Sequence, residues 1–378
     1  MSSLSVGAAL SQTGLYALQG QQALQGLRLW LEDTNEHGGL FVPELRRRVR
    51  LQLITADDHS RRPEVERLIE RLIKHHRVDL LIGPYSSGLT RAAAAVAERH
   101  QKVLWNHGGS SDTVMQQGFH WLVNLPTPAS RYFAGLLTCL GGALSNEDRV
   151  ATVQRRRGTF AAEVVMGARQ QAESRGCPVL PALFYPETAA QFPTLARELA
   201  AAKPAMIVGV GRYDDDVALV RALAQMRLRV KALAVVAAPM QAFREDLQGL
   251  AEGCIGPSQW EPDIDVAPDV GPPSAAFVER FRRRYGEAPD YPAAQAYAAG
   301  LIMQRGVALA GTCASVELRN ASRALVCQTL YGRFQLDPVS GAQVGHETVL
   351  VQWQHGMKRI IHPTAVAQSL PMIPKSAP

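Results

Sequence analysis

No apolar run of about 18 residues occurs in the chain, which excludes a hydrophobic membrane-spanning helix. Cysteine is scarce: Cys139, Cys177, Cys254, Cys313 and Cys327 are the five in 378 residues. None falls in a CxxC or Cys/His spacing, so a zinc or dithiol motif is excluded. The odd count leaves at least one thiol free, with Cys313–Cys327 as the disulfide considered, and it assigns no redox compartment. Neither a G-x-S-x-G elbow nor an H-E-x-x-H pair is present, which removes the common hydrolase readings. Val208-Gly209-Val210-Gly211 follows an apolar run as a dinucleotide loop does, but the third glycine is missing. Position 214 is Asp, which would repel a pyrophosphate. His75-His76 closes a Lys/Arg-rich helix, a place that favours positive charge rather than a metal. Aromatic residues make up only 6%, and no aromatic-rich motif accompanies Arg46-Arg47-Arg48, Arg155-Arg156-Arg157 or Arg282-Arg283-Arg284. The formal charge of +6 is therefore read as a solvated basic surface, not a nucleic-acid site. The opening MSSLSVGAAL lacks a basic segment followed by an apolar one. The expectation is a cytosolic protein, or a mature form whose signal peptide has been replaced by Met.

What remains is a globular composition, 47% hydrophobic and 20% charged, with a length that suggests two domains. Short apolar runs alternate with amphipathic stretches. Strands are expected at Leu4–Leu10, Val49–Thr55, Leu80–Gly83, Val103–Trp105, Arg149–Val153, Met206–Val210 and Ala232–Val236. Helices are expected at Gly20–Asn35, Arg62–His75, Phe160–Arg175, Thr194–Ala202 and Asp216–Met226, and later at Ser274–Tyr285, Ala293–Ala310 and Ser315–Leu330. This rhythm predicts an α/β protein with doubly wound parallel sheets. Asp214-Asp215-Asp216 reads as a helix entrance, where carboxylates cap N–H groups and oppose the dipole. Strands Gly332–Leu336 and Thr348–Trp353 are expected to form a hairpin through Asp337-Pro338-Val339-Ser340-Gly341. Composition suggests interdomain crossings at Asn124–Pro128, Gly253–Gln259 and Tyr331–Phe334.

The most informative stretch is 78–112. Two apolar runs joined by an Ala-rich helix predict parallel strands. Their following turns, Tyr85-Ser86-Ser87-Gly88 and Gly108-Gly109-Ser110-Ser111, then share the carboxyl edge of one sheet, where open α/β folds bind ligands. Backbone N–H groups at the helix starts favour an anion there. The competing reading is that Ser86-Ser87 merely caps the helix.

Several segments together resemble the type I periplasmic binding proteins, the Leu/Ile/Val- and amide-binding group of ABC transporter substrate-binding proteins. The opening carries Ser11, Thr13, Gly14, Gly20, Gly26, Asn35, Gly38 and Gly39 in the family's order, and Asp57-Asp58 matches its acidic turn. VDLLIGPYSSGLTRAAAAVAE and PSAAFVERFRRRYGEAPDYPAAQAYAAG match two further units. The resemblance implies two doubly wound lobes joined by three crossovers, a Venus-flytrap clamp closing on a solute. It implies lobe 1 at 1–124 plus 259–331 and lobe 2 at 125–258 plus 332–378. It also implies no catalysis and no cofactor or metal.

The resemblance assigns the solute's carboxylate or amide to Ser87, with Gly108, Gly109 and Ser110 supplying backbone groups and a hydroxyl. Tyr85 matches an aromatic beside the ligand, and Tyr213 a cleft-facing Tyr of the second lobe. Thr159-Phe160 stands where relatives carry an aromatic followed by Gly. Asn106 is expected to point toward the cleft, and Trp105 is a pocket wall or core. Tyr16 and Trp260 are candidates at the rim. One departure matters. Amino-acid binders of the family place an acid after the strand equivalent to Ala232–Val236, whereas this turn reads Ala237-Ala238-Pro239-Met240. A buried ammonium without a partner is strongly unfavourable, and Asp112, Asp214 and Glu261 are the substitutes considered. The expected function is a solute-binding receptor handing an amide, organic acid or small amino acid to an ABC permease. The alternative is a cytosolic amide sensor that regulates a partner protein.

Overall fold

A computed structural model describes residues 3–264 and 266–373 of the chain. The expected outer limits of the lobes, residues 1 and 378, lie outside the described residues. The chain divides into two compact units, Met1–Pro128 with Gln259–Glu347, and Ala129–Ser258 with Thr348–Pro378. The first begins with β1 (Ser3–Leu10), α1 (Ala17–Glu36), β2 (Leu40–Val42), β3 (Arg47–Asp57), α2 (Arg62–Lys74), β4 (Leu80–Ile82), α3 (Ser87–Arg99), β5 (Leu104–Asn106), α4 (Asp112–Gln116) and β6 (Leu122–Asn124). The second holds α5 (Leu136–Leu140), β7 (Val150–Gln154), α6 (Thr159–Ser174), β8 (Leu183–Phe184), α7 (Phe192–Ala202), β9 (Met206–Val210), α8 (Tyr213–Gln225), β10 (Ala232–Val235), α9 (Gln241–Leu247) and β11 (Cys254–Ser258). The first unit resumes with α10 (Ser274–Tyr285), α11 (Tyr291–Ala310), α12 (Ser315–Ala324), β12 (Val326–Thr329) and β13 (Gly332–Gln335). β14 (Val349–Gln354) and β15 (Met357–His362) return to the second.

The first sheet runs β2-β3-β1-β4-β5-β6, parallel except for its edge strand β2. The second runs β15-β14-β11-β10-β9-β7-β8, parallel from β11 through β8 and antiparallel at the other margin. Central strands such as Leu80–Ile82 and Met206–Val210 are buried along their whole length, as continuous apolar runs covered on both faces must be. Helices α1 and α11 pack closely on one face of the first sheet. A Cβ at Gly26 would lie 2.0 Å from the carbonyl oxygen of Ala293, so that contact requires glycine. Phe277, Phe281 and Tyr297 fill the same core, with the Phe277 and Tyr297 rings 4.9 Å apart. Among the described residues no helix is long and apolar enough to cross a membrane.

Four expectations are corrected. The helix expected through Leu330 ends at Ala324, and β12 follows it, pairing antiparallel with β13. β13 does not form a hairpin with β14, which pairs instead with β11 and β15. The Asp337–Gly341 turn does form, with Asp337 Oδ1 accepting from the N–H of Ser340 at 2.7 Å, but Asn124 Nδ2 donates to Gly341 O at 3.0 Å and keeps it in the first unit. The third crossing accordingly falls between Glu347 and Thr348, and residues 332–347 belong to the first unit. A buried polar cluster holds this segment: His346 Nδ1 and Thr127 Oγ1 share a hydrogen bond of 2.7 Å, and Tyr331 donates to Gln259 Oε1 at 2.6 Å. Finally, Cys313 and Cys327 are not bonded, and all five thiols are free.

Candidate functional site

The parallel registers bring the turns after β1, β3, β4 and β5 to one edge of the first sheet. The Ser11/Thr13 and Asp57-Asp58 motifs meet there and brace one another. Asp57 Oδ1 accepts from the backbone N–H groups of Gln12 at 3.0 Å and His59 at 2.9 Å, while Thr13 Oγ1 donates to Oδ2 at 2.7 Å. Slight burial raises the Asp57 carboxyl, yet these donors outweigh it and hold the group below the usual range. Asp58 is fully buried and accepts from Ser11 Oγ at 2.6 Å and Ser60 N–H at 2.7 Å; burial pushes its carboxyl up.

In the next turn the two serines have different partners. Ser86, at φ 79°, is the N-cap of α3, and its Oγ accepts from Leu89 N–H at 3.4 Å. Ser87 is instead the first helical residue. Its Oγ accepts the N–H of Ser111 at 3.0 Å, which leaves its own proton free to donate. The N–H groups of Ser87 and Gly88 find no acceptor among the described residues, as expected in the first turn of a helix.

Asn106, Gly108 and Gly109 do not play the expected part. Asn106 is fully buried, and its Oδ1 accepts from the N–H groups of Gly108 at 3.2 Å and Gly109 at 2.7 Å. Its Nδ2 donates to Gly109 O at 2.6 Å and to Asn124 Oδ1 at 2.9 Å. The asparagine therefore closes the turn on itself, and the glycine N–H groups expected to face a ligand are occupied. Gly109 is glycine for space, since a Cβ would sit 2.3 Å from Thr90 Oγ1. Ser110, buried at the end of this turn, stays beside Ser87 through the Ser111 contact. Tyr85 is half-buried; it shares a 2.6 Å hydrogen bond with the hydroxyl of Tyr291, and its ring lies 6.2 Å from that of Tyr16.

Trp105 and Trp260 are core residues. Trp105 is completely enclosed in the apolar cluster beneath α1 and α11, because it sits on the inward face of β5. Trp260 stacks edge-on against Phe277 at 5.7 Å and donates its indole N–H to Leu330 O at 3.1 Å.

In the second unit, Thr159 opens α6 on an exposed turn, after Gly158 at φ 98°. Tyr213 opens α8, and its hydroxyl donates to Asp246 Oδ2 at 2.7 Å. Burial first, and then Asp246, pushes that hydroxyl's titration upward. The acidic triple caps α8 as expected: Asp215 Oδ2 accepts from Arg212 N–H at 2.9 Å and pairs with Arg155 at 2.6 Å. Asp216 does more than the sequence suggested. Fully buried, its Oδ1 accepts from Tyr185 OH at 2.6 Å and Gly211 N–H at 3.0 Å, and its Oδ2 from Ala237 N–H at 2.9 Å. A carboxylate thus reaches the Ala237-Ala238-Pro239 turn from α8, but it is engaged by three donors. Burial pushes it up to about 7. Of the other acids considered, Asp214 is exposed, Glu261 is buried, and Asp112 lies in the first turn of α4. Among the described residues no group of three or more His, Cys, Asp or Glu gathers to hold a metal.

Residues 3–358 match a family model described as periplasmic binding protein. The branched-chain amino acid transporter substrate binding protein LivJ from Streptococcus pneumoniae, solved in complex with isoleucine, is 18% identical, with 94% of this chain and 97% of that one covered at a TM-score of 0.80. The leucine binding protein LivK from Thermotoga maritima is 17% identical, with 94% and 97% covered at a TM-score of 0.83. A solute binding protein of an ABC transporter from R. palustris, in complex with benzoate, is 20% identical, with 98% and 99% covered at a TM-score of 0.80. At these identities the solved structures establish a shared fold.

Proposed function

The chain belongs to the periplasmic binding protein family, and from that premise we propose that it is the solute receptor of an ABC importer. It binds rather than transforms its ligand. The solute is a small organic acid, amide or amino acid, taken up in the periplasm and passed to a permease. The observation that carries this reading is the turn at the start of α3. Among the described residues, Ser87 Oγ is fixed by Ser111 N–H with its proton unengaged, and the N–H groups of Ser87 and Gly88 have no acceptor. Three donors at one point suit a carboxylate or carbonyl oxygen. Ser110 and Tyr85 are proposed as its neighbours. Thr159 and Tyr213 are proposed as contacts from the second unit.

Asn106, Gly108 and Gly109 shape this site from beneath, and Trp105 and Trp260 support it as core. The ligands of the solved relatives bracket the chemistry: isoleucine is a zwitterion and benzoate an anion without ammonium. This chain offers no free carboxylate at the turn after β10, which favours the second type. Native mass spectrometry of protein purified without denaturation, followed by calorimetric titration of whatever small molecule is retained, tests the proposal. A retained acid or amide that rebinds with one-to-one stoichiometry supports it. Turnover of a retained compound, or failure to bind any acid, amide or amino acid, overturns it.

A further inference from the structure

We infer that Arg62 is a specificity residue of this site, and that the solute is recognised through a full negative charge on a carboxylate. The inference rests on the receptor reading above and narrows its ligand class.

Arg62 is the first residue of α2, at the same sheet edge as the start of α3. Its guanidinium lies against Gly88: a Cβ built on that glycine would be 2.9 Å from Nη2 and 3.2 Å from Nε of Arg62. Position 88 is in the helix with no unusual backbone angle, and the three atoms nearest a Cβ there all belong to the end of the Arg62 side chain, so a methyl would displace the guanidinium rather than strain the backbone. The arginine is exposed and makes no hydrogen bond or ion pair among the described residues. Of the neighbouring acids, Asp57 is engaged by Gln12, Thr13 and His59, Asp58 by Ser11 and Ser60, and Glu64 by Arg67 at 2.7 Å, while Glu66, one turn further along α2, is exposed and forms no ion pair with Arg62.

The site therefore gathers an unpaired planar cation, two open N–H groups and one hydroxyl proton, all of them donors. A carboxylate accepts from every one of them. A carboxamide offers one oxygen but turns an NH2 toward donors, and an ammonium meets only like charge and donors. Hydrogen bonds to an ionised group are about twice as strong as neutral ones, and a guanidinium fork matches a carboxylate in shape.

The test uses isosteric pairs, benzoate with benzamide and 4-methylpentanoate with 4-methylpentanamide, and adds leucine. Each is titrated calorimetrically into the wild-type chain at low and moderate salt. The acid of a binding pair is expected to bind at least about tenfold tighter than its amide, with a preference that shrinks as salt rises. Arg62→Ala should abolish most of that preference while moving the amide's affinity less than about twofold. Arg62→Lys should restore part of it, because the charge returns without the fork. Gly88→Ala, whose added methyl displaces the guanidinium, should reproduce the Arg62→Ala result in a chain that keeps its arginine. Equal binding of acid and amide, or an unchanged preference in both Arg62→Ala and Gly88→Ala, overturns this inference alone. If leucine binds with an affinity that Arg62→Ala leaves unchanged, the charge argument is also wrong, although the receptor reading stands. If no acid, amide or amino acid binds, the receptor reading fails and takes the inference with it.

Discussion

The carboxyl edges of the two sheets have the same topology and opposite characters. In the first unit a neutral amide, Asn106, satisfies the β5 turn internally, while the β4 turn keeps the N–H groups of Ser87 and Gly88 and the proton of Ser87 open. In the second unit a buried acid, Asp216, takes up the N–H groups of Gly211 and Ala237 and the hydroxyl of Tyr185. Parallel strands feeding helices always aim donors at this edge. Whether the donors form a site or a brace depends on whether the protein supplies its own acceptor. Among the described residues one edge keeps open donors at its β4 turn, and is the edge proposed to be receptive, while the other is braced at its β9 and β10 turns.

The largest expected effect tests the receptive edge. Asn106→Ala removes the acceptor of one buried and one half-buried N–H group and the donor to Gly109 O, and should cost about 3 kcal/mol of stability. Urea unfolding followed by circular dichroism measures it; a loss below about 1 kcal/mol means the turn is held by something else. The braced edge is tested by pH. Asp216 in the folded protein titrates near 7 instead of the ordinary 3.8, so the native state binds its proton more tightly than the unfolded chain does. Its stabilising contribution is whole below about pH 4 and is lost as pH rises through about 7, a swing of a few kcal/mol. Asp216→Asn imitates the protonated form and lacks this titration. The variant should gain stability relative to wild type between pH 5 and pH 7.5. A gap that stays constant over that interval, or moves the other way, removes the titrating brace from the comparison.

The contrast between the edges also marks what the chain made legible. The alternating pattern was enough for the two parallel sheets, because fully buried strands such as Leu80–Ile82 and Met206–Val210 leave no ambiguity in hydrophobicity. The helix start at Ser86-Ser87 was legible as well, and there Ser86 takes the capping role, which leaves Ser87 for the donor role proposed above. The end of α12 was not. Val326–Thr329 continues an amphipathic pattern and becomes a strand only because β13 pairs with it. The third crossing was misplaced because Asn124, Thr127 and Gln259 hold residues 331–346 through long-range hydrogen bonds that no local window contains. Trp105 and Trp260 carried no signal of direction, because the period of a three-residue strand is too short to give one for Trp105, and Trp260 follows the end of β11 outside any regular element. Arg62 looked like the start of an amphipathic helix. Only the packing of α2 beside α3 places its guanidinium over Gly88.

Two smaller effects sharpen the comparison on the binding side. Ser87→Ala removes a donor from the receptive edge and an acceptor from Ser111 N–H, and should weaken binding of an acid ligand by about 1–3 kcal/mol. Unchanged affinity by calorimetry would take Ser87 out of the site. Tyr213→Phe should do less, because the hydroxyl already donates to Asp246 and has only its lone pairs left to offer. An acid ligand accepts hydrogen bonds and gains nothing from an acceptor. Affinity should therefore fall by less than about threefold, alongside a stability loss of about 0.5–1 kcal/mol for the missing Asp246 bond. A tenfold or greater loss of affinity in Tyr213→Phe would mean that the hydroxyl leaves Asp246 to donate to the solute. The second edge would then be receptive too, and the division between a site and a brace would not hold.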